Sequence, residues 1–164
     1  MDKAKNIWII NDKDELILVD KNNMKVKTFL PYASSTGNTT DQLYDLGVLE
    51  DQLYLFYRSG LLICYNLKSH QEIYRQKLPD ELPKGKYENT SYVVPGNNTF
   101  YQLRNGSQGG VMLNYDITRK KWNIVFQTDY RLNSLSIDKD SSIWVSCYMG
   151  LWNIDAGLIN KQYI

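Results

Sequence analysis

Few side chains in this sequence have the type and spacing that catalysis requires. The single histidine, His70, lies in the polar stretch NLKSHQE, where nothing apolar shields it from water. A histidine that activates a nucleophile needs that nucleophile within hydrogen-bond reach. Cys64 and Cys147 lie far apart in the chain, without the paired spacing of a metal site. We therefore predict a solvated His70, two buried thiols, no catalytic residue, no metal and no cofactor.

Two clusters of carboxylates have the alternate spacing that calcium loops use. They are NDKDE (11–15) and DKD (138–140). Both lack the glycine and the distal glutamate that complete an EF-hand loop. Because polar turns have the same composition, we interpret both clusters as solvated turns.

Tyrosine and arginine offer the remaining chemistry, which is ligand binding. The chain contains 13 tyrosines. A tyrosine ring can stack on a sugar, and an arginine presents a planar fork that fits a carboxylate or a sulfate. Whether these side chains lie close enough together to form a site depends on the strands and turns that carry them.

A fourfold repeat organises those elements. In each copy an apolar run with a central aromatic residue is followed by a turn and by a second apolar run that ends in Asp or Asn. The aromatic residues are Trp8, Tyr54, Tyr101 and Trp144, at spacings of 46, 47 and 43 residues. In β-propellers the blades recur about every 40–50 residues, and each blade has four strands. A β-sandwich, the alternative all-β fold, gives no reason for units of this length to recur.

We therefore predict an all-β chain that folds as a β-propeller of about four blades, each with four antiparallel strands. One propeller segment spans 1–164, with blades at 7–29, 43–78, 90–128 and 132–164. Asp20, Asn66 and Asp116 open the corner before a fourth strand, where their side chains can bond the turn backbone. The first copy begins at its second strand, so we predict a partial propeller. Its open edges would pair with further blades or with a second copy of the chain.

The last copy, SIDKDSSIWVSCYMGLWNID, resembles the two-component regulator propeller repeat. The residues that fit the pattern of that family are Asp138, Asp140, Ile143, Trp144, Val145, Gly150, Leu151 and Asp155. The other copies match more loosely, and the third keeps Gly110 in a longer turn, RNGSQGG. The resemblance implies the periplasmic sensor part of a hybrid two-component system, which binds a glycan breakdown product.

One set of side chains is predicted to bind the ligand. Turns between second and third strands share a propeller face with the links between blades, and this face is rich in tyrosine and arginine. The set is Tyr32, Tyr57, Arg58, Arg104, Tyr130, Arg131 and Tyr148. An aromatic rim with arginines suits an acidic oligosaccharide.

Charge and hydropathy exclude several other functions. A net charge of +1 gives no basic field for nucleic acid. No apolar run approaches the roughly 18 residues of a membrane helix, so we expect no membrane contact. The start, MDKAKNIWII, lacks the features of a signal peptide. The chain is thus cytosolic, or it is periplasmic with an export signal outside these residues. A protein-binding scaffold propeller is the alternative function, and a quinoprotein-like enzyme ranks third.

Overall fold

The structure is a computed structural model that describes residues 6–13, 15–29, 41–82, 89–96, 98–155 and 158–162. Within these residues it contains 15 β-strands and no helix. The chain divides into two compact units, Met1–Lys77 and Leu78–Ile164, and each unit holds two antiparallel sheets. The all-β prediction is confirmed.

The first unit contains sheets 1 and 2, whose strands are neighbours in chain order. Sheet 1 consists of β1 (Ile7–Ile10), β2 (Leu16–Val19) and β3 (Val26–Phe29). Sheet 2 consists of β4 (Leu43–Leu49), β5 (Gln52–Tyr57), β6 (Leu62–Asn66) and β7 (Glu72–Gln76). Among the described residues, sheet 1 begins at the strand that is second in sheet 2, as the repeat predicts.

The second unit contains sheets 3 and 4, each with four strands in chain order. Sheet 3 consists of β8 (Asn89–Gly96), β9 (Thr99–Gly106), β10 (Gly109–Asp116) and β11 (Lys121–Thr128). Sheet 4 consists of β12 (Leu132–Ile137), β13 (Ile143–Cys147), β14 (Gly150–Asp155) and β15 (Leu158–Gln162). Every predicted blade thus corresponds to one antiparallel sheet.

The four aromatic residues of the repeat occupy the same register position. Trp8, Tyr54, Tyr101 and Trp144 pair across to Leu18, Cys64, Asn114 and Asn153 on the next strand. Each partner lies two residues before the Asp or Asn that ends its run, which is Asp20, Asn66, Asp116 or Asp155. The repeat in the sequence is therefore also a repeat in strand pairing.

The polar corners before the fourth strands form as predicted. Asp20 and Asn66 each accept, through Oδ1, the N–H of the residue two positions on at 2.8 Å, and Asp116 accepts that of Arg119 at 2.9 Å. The residue four positions after each corner residue has a positive φ of 52–56°; these are Met24, His70 and Lys120. The positive φ of His70 is therefore a feature that this turn shares with the turns at Met24 and Lys120.

Sheets 2, 3 and 4 also share a β-bulge. One extra residue at the start of the first strand lies opposite the end of the second strand; it is Tyr44, Ser91 or Asn133. A bulge increases the local twist and re-aims the side chains beside it. It therefore decides which side chains point outward at this end of each sheet.

Each unit has its own apolar core between its two sheets. In the first unit, Trp8 and Leu16 of sheet 1 pack with Leu43, Leu55 and Ile63 of sheet 2. In the second unit the core joins residues of β9, β10 and β11 to Leu135, Val145 and Trp152 of sheet 4, among others. Full burial of one such side chain stabilises the fold by about 1.5–3 kcal/mol, so these layers hold each pair of sheets together.

Candidate ligand-binding site

The residues predicted to bind a ligand differ in exposure. Tyr32 lies outside the described residues. Tyr57 and Arg104 are only 1% exposed, because β5 and β9 extend through them and they are strand residues, not turn residues. The residues that lie at the surface are Arg58, Tyr130, Arg131 and Tyr148. Arg58 belongs to the first unit, whereas the other three belong to the second.

Tyr130, Arg131 and Tyr148 come together at one end of the second unit. Leu132 pairs with Cys147, so Arg131 and Tyr148 are the next residues beyond this pair on adjacent strands. Tyr148 is 90% exposed, and Met149 and Tyr130 beside it are 41% and 40% exposed. We call this set, Tyr130, Arg131, Tyr148 and Met149, the sheet-4 corner. It places two aromatic rings and a guanidinium where a ligand can reach them.

The link that carries Tyr130 and Arg131 is held against the β9–β10 hairpin. Asn105 Nδ2 donates to the carbonyl oxygen of Leu132 at 2.7 Å, and the N–H of Leu132 donates to Asn105 Oδ1 at 2.8 Å. A Cβ atom on Gly110 would lie 2.8 Å from Asn105 Oδ1 and 2.9 Å from the carbonyl oxygen of Tyr130. The hairpin therefore fits under the link only with a glycine at this position. The turn and the link share one end of the unit, as predicted.

Gly109 has the positive φ of this turn, 107°, and a Cβ there would lie 2.0 Å from the carbonyl oxygen of Thr128. The family pattern was matched at Gly110 in the sequence, whereas the residue with the required φ is Gly109. Gly60 and Gly150, with φ of 89° and 134°, occupy the corresponding turns of sheets 2 and 4.

A second corner, in the first unit, contains residues that the sequence analysis missed. At the bulge of sheet 2, Tyr44 and Asp45 are half-buried, and Arg58 begins the turn on the neighbouring strand. We call Tyr44, Asp45 and Arg58 the sheet-2 corner. The N–H of Arg58 donates to the carbonyl oxygen of Gln42 at 2.9 Å, which fixes the strand end. In the sequence, the feature that indicates this corner is Asp45, a carboxylate inside the otherwise apolar strand LYDLGVL.

Burial and charge both act on the ionisable groups of the sheet-2 corner. Desolvation raises the pKa of the Asp45 carboxyl, and the N–H of Leu46, 2.7 Å from Oδ1, lowers it by a smaller amount. Desolvation raises the pKa of the Tyr44 hydroxyl, the charge of Asp45 raises it further, and the charge of Arg58 lowers it. Tyr44 is thus close enough to Asp45 and to Arg58 for their charges to act on its hydroxyl.

The two corners occupy the same position of the repeat. Leu43 and Leu132 each pair with the last residue of the second strand, and the bulge follows both of them. Arg58 and Tyr148 are consequently equivalent, as the first residues of the turns that follow. In sheet 3 the equivalent residue is Asn105, whose amide binds Leu132 instead.

The other candidate chemical groups have structural roles. Cys64 and Cys147 are buried thiols, as predicted. His70 is exposed, and its N–H donates to the carbonyl oxygen of Asn66 at 2.9 Å. Among the described residues, no group of three His, Cys, Asp or Glu side chains could hold a metal ion. In the same ranges, no helix is long and apolar enough to cross a membrane.

The described residues of both carboxylate clusters lie in or beside turns, as predicted, whereas Asp14 lies outside the described residues. Asn11 Oδ1 accepts the N–H groups of Lys13 and Glu15 at 3.0 and 2.8 Å. Asp138 Oδ2 accepts the Nε1–H of Trp144 at 2.9 Å. Asp140 Oδ1 accepts the N–H of Ser142 at 3.0 Å, and this bond lowers the pKa of the exposed Asp140 carboxyl. These side-chain oxygens therefore stabilise the turns in or beside which they lie.

Comparison with solved structures shows the fold. The chain is similar to the extracellular domain of a hybrid two-component system of B. thetaiotaomicron, with a TM-score of 0.66 and 12% identity over 98% of this chain and 20% of that one. It is similar to the Swd1 β-propeller domain of Myceliophteria thermophila, with a TM-score of 0.67 and 12% identity over 96% of this chain and 54% of that one. It also matches the N-terminal domain of Nup159, with a TM-score of 0.58 and 12% identity over 97% of this chain and 49% of that domain.

The fold is therefore that of a β-propeller, in which each antiparallel sheet corresponds to one blade. The chain spans about half of the Swd1 and Nup159 domains and one fifth of the extracellular domain of the two-component system. No protein-family model and no curated protein matches the sequence.

Proposed function

We propose that this chain is a ligand-binding propeller segment without a catalytic centre, and that its ligand is an acidic oligosaccharide. The observation that carries the proposal is the sheet-4 corner. Tyr148 is 90% exposed, and it and the exposed Arg131 directly flank the buried pair of Leu132 and Cys147, at the end of β13 and the start of β12. A large aromatic side chain at this exposure adds nothing to the core, but its face is available to a sugar ring.

The position of Arg131 supports an acidic sugar over a neutral one at this corner. Its guanidinium is exposed, and the link that carries it is held by the two hydrogen bonds between Asn105 and Leu132. A positioned guanidinium can bind a uronate carboxylate or a sulfate through two parallel hydrogen bonds. Because these two bonds already order the link between β11 and β12, the link loses less conformational entropy when the ligand binds.

We place this binding function in the sensor part of a two-component regulator, in the periplasm. Two observations support this context. The last repeat resembles the family pattern at eight positions, and the chain has the fold of the extracellular domain of a hybrid two-component system. The signalling domains of such a regulator would lie elsewhere in the parent protein.

A glycan array probed with the isolated chain tests the proposal. We expect uronate-containing or sulfated glycans to be retained, and retention to fall in the variants Arg131→Ala and Tyr148→Ala. Arg119→Ala is the matched control, because Arg119 is an exposed arginine of the same unit in the β10–β11 turn, at the opposite end of sheet 3. An array without bound acidic glycans, or equal retention by all variants, would contradict the proposal.

A second candidate function, a scaffold for protein–protein contacts, is favoured by one face of sheet 1. The register aligns Ile7 with Val19 and Val26, and Ile9 with Ile17, on the face opposite to the core. Ile7, Ile9 and Val26 are 39%, 44% and 62% exposed. In sheet 4, by contrast, the face opposite to the core carries Ser134 and Ser146, joined by a hydrogen bond of 2.6 Å. An apolar sheet face of this kind suits a further blade or a second copy of the chain.

A further inference from the structure

The sheet-2 corner combines an aromatic ring, a carboxylate and a guanidinium at the position where sheet 4 carries the proposed binding residues. The bulge sets Tyr44 outside the regular ladder, between Leu43 and Asp45. Arg58 is equivalent to Tyr148, and Tyr44 is equivalent to Asn133. The two corners therefore have the same backbone but a different set of side chains.

The turn beside this corner is fixed by its own residues. The N–H and the hydroxyl of Ser59 donate to the two carboxylate oxygens of Asp41 at 2.9 and 2.6 Å. Since both oxygens of Asp41 are used in this way, Asp41 closes the turn. The carboxylate that remains for a ligand is Asp45.

Asp45 has capacity for further hydrogen bonds. In the part of the chain that the structure describes, its carboxylate accepts the N–H of Leu46 through Oδ1. A carboxylate can accept about four hydrogen bonds in all. Its half-buried position raises the pKa because water solvates the charge poorly. Donors supplied by a ligand would replace this missing solvation.

The charges of the corner select the class of ligand. Asp45 repels an anion and Arg58 repels a cation, whereas a neutral ligand with several hydroxyl groups can donate to Asp45 and accept from Arg58. The partly buried Tyr44 lies beside these groups, and the accessible part of its ring offers an apolar surface. A neutral sugar ring has all the complementary features.

We propose that the sheet-2 corner is a second sugar subsite that binds a neutral sugar ring, stacked on Tyr44 with its hydroxyls donating to Asp45. This inference rests on the proposed glycan ligand and assigns a separate, neutral sugar to the first unit. The sheet-4 corner takes the acidic sugar.

The test is NMR titration of the isolated chain with cellotetraose, maltotetraose, mannotetraose and xylotetraose, and separately with tetragalacturonate. We expect at least one neutral probe to shift the amide signals of Tyr44, Asp45 and Arg58. The Asp45→Asn variant should weaken that binding about tenfold, because charge-assisted hydrogen bonds are lost. Asp51→Asn is the matched control, since Asp51 is a partly exposed carboxylate in the β4–β5 turn of the same sheet and pairs with Lys68.

The outcomes separate this inference from the proposed function. If no neutral probe shifts these signals, or if Asp45→Asn binds the neutral probe as tightly as the unaltered chain, the subsite is wrong. Should tetragalacturonate binding still depend on Tyr148 in that case, the proposed function stands. If instead neutral binding depends on Asp45 while tetragalacturonate does not bind, the subsite stands and the acidic ligand is wrong.

Discussion

Asn105 and Leu132 are joined by both ends of one side-chain amide, at 2.7 and 2.8 Å, across the boundary between sheets 3 and 4. Asn105 is 3% exposed, so both bonds are shielded from water. The amide thus pairs with the first residue of β12 as a neighbouring strand would. It fixes the start of the strand that follows Tyr130 and Arg131.

We predict that Asn105→Ala lowers the free energy of unfolding by about 2–4 kcal/mol, because it leaves the N–H and the carbonyl of Leu132 buried without these partners. Asn105→Asp retains the acceptor but loses the donor, so its loss should be at least as large. Asn123→Ala removes an exposed bond of 2.9 Å to Asn114 in sheet 3 and should cost less than about 0.5 kcal/mol. Urea unfolding measures all three. Equal stabilities for Asn105→Ala and Asn123→Ala would show that the amide does not hold the link.

We predict that Gly109→Ala destabilises the second unit more than an ordinary turn substitution does. The residue has a φ of 107°, and the new Cβ would lie 2.0 Å from the carbonyl oxygen of Thr128. The strained φ alone costs on the order of 1–3 kcal/mol, and the contact adds to it. Ser107→Ala in the same exposed turn is the control and should stay within about 0.5 kcal/mol. Thermal unfolding by circular dichroism distinguishes them, and a Gly109→Ala variant as stable as Ser107→Ala would contradict the close packing of hairpin and link.

Asp45 should make stability depend on pH in a defined direction. Its pKa is raised above the ordinary value of 3.8 in the folded protein, so the folded state holds this proton more tightly than the unfolded state does. The contribution of Asp45 to the free energy of unfolding is therefore present at low pH and is lost as the pH rises through the raised pKa. The ionisable group whose charge interacts with that of Asp45 is the Tyr44 hydroxyl, which Arg58 also approaches.

Urea unfolding of the unaltered chain and of Asp45→Asn, between about pH 4 and pH 7, measures this effect. We expect the stability of Asp45→Asn relative to the unaltered chain to increase as the pH rises. Asp140, whose pKa is lowered, acts in the opposite direction and is present in both proteins, so the difference removes its contribution. A difference that is constant or that falls with pH would contradict a desolvated Asp45.

The apolar face of sheet 1 predicts self-association of the isolated chain. Burial of apolar surface contributes about 25 cal/mol per Å² before the entropic cost of association. The sedimentation coefficient should therefore rise with protein concentration, and Ile9→Lys should abolish that rise. Ile73→Lys is the control, because Ile73 of sheet 2 is 43% exposed, close to the 44% of Ile9. A monomer at all concentrations would mean that this face has no self-complementary partner.

The sequence predicted the repeat because the strand period and the corner residues are local signals. In sheets 1, 2 and 3, the corner residue Asp20, Asn66 or Asp116 bonds its own turn, and a positive φ follows four residues later. The burial of Tyr57 and Arg104 could not be predicted from such local signals. The residues around each of them have the composition of a turn. However, β5 reaches Tyr57 and β9 passes through Arg104, because the partner strands β4 and β8 extend equally far.

The sheet-2 corner was missed for a related reason. In a regular strand the alternation of LYDLGVL would send Tyr44 and Asp45 to opposite faces. The bulge at Tyr44 breaks that alternation. A bulge depends on pairing with β5, which a local reading of the strand does not contain.

Calorimetric titration with tetragalacturonate is the most direct test of ligand binding at the sheet-4 corner. We expect the unaltered chain and Arg119→Ala to bind alike, and Arg131→Ala and Tyr148→Ala each to bind about tenfold more weakly or worse, through loss of a charge-assisted bond and of a stacking face. Circular dichroism should show the same fold in all four proteins, because all three mutated side chains are exposed. Equal affinity of Arg131→Ala, Tyr148→Ala and the unaltered chain would contradict the site.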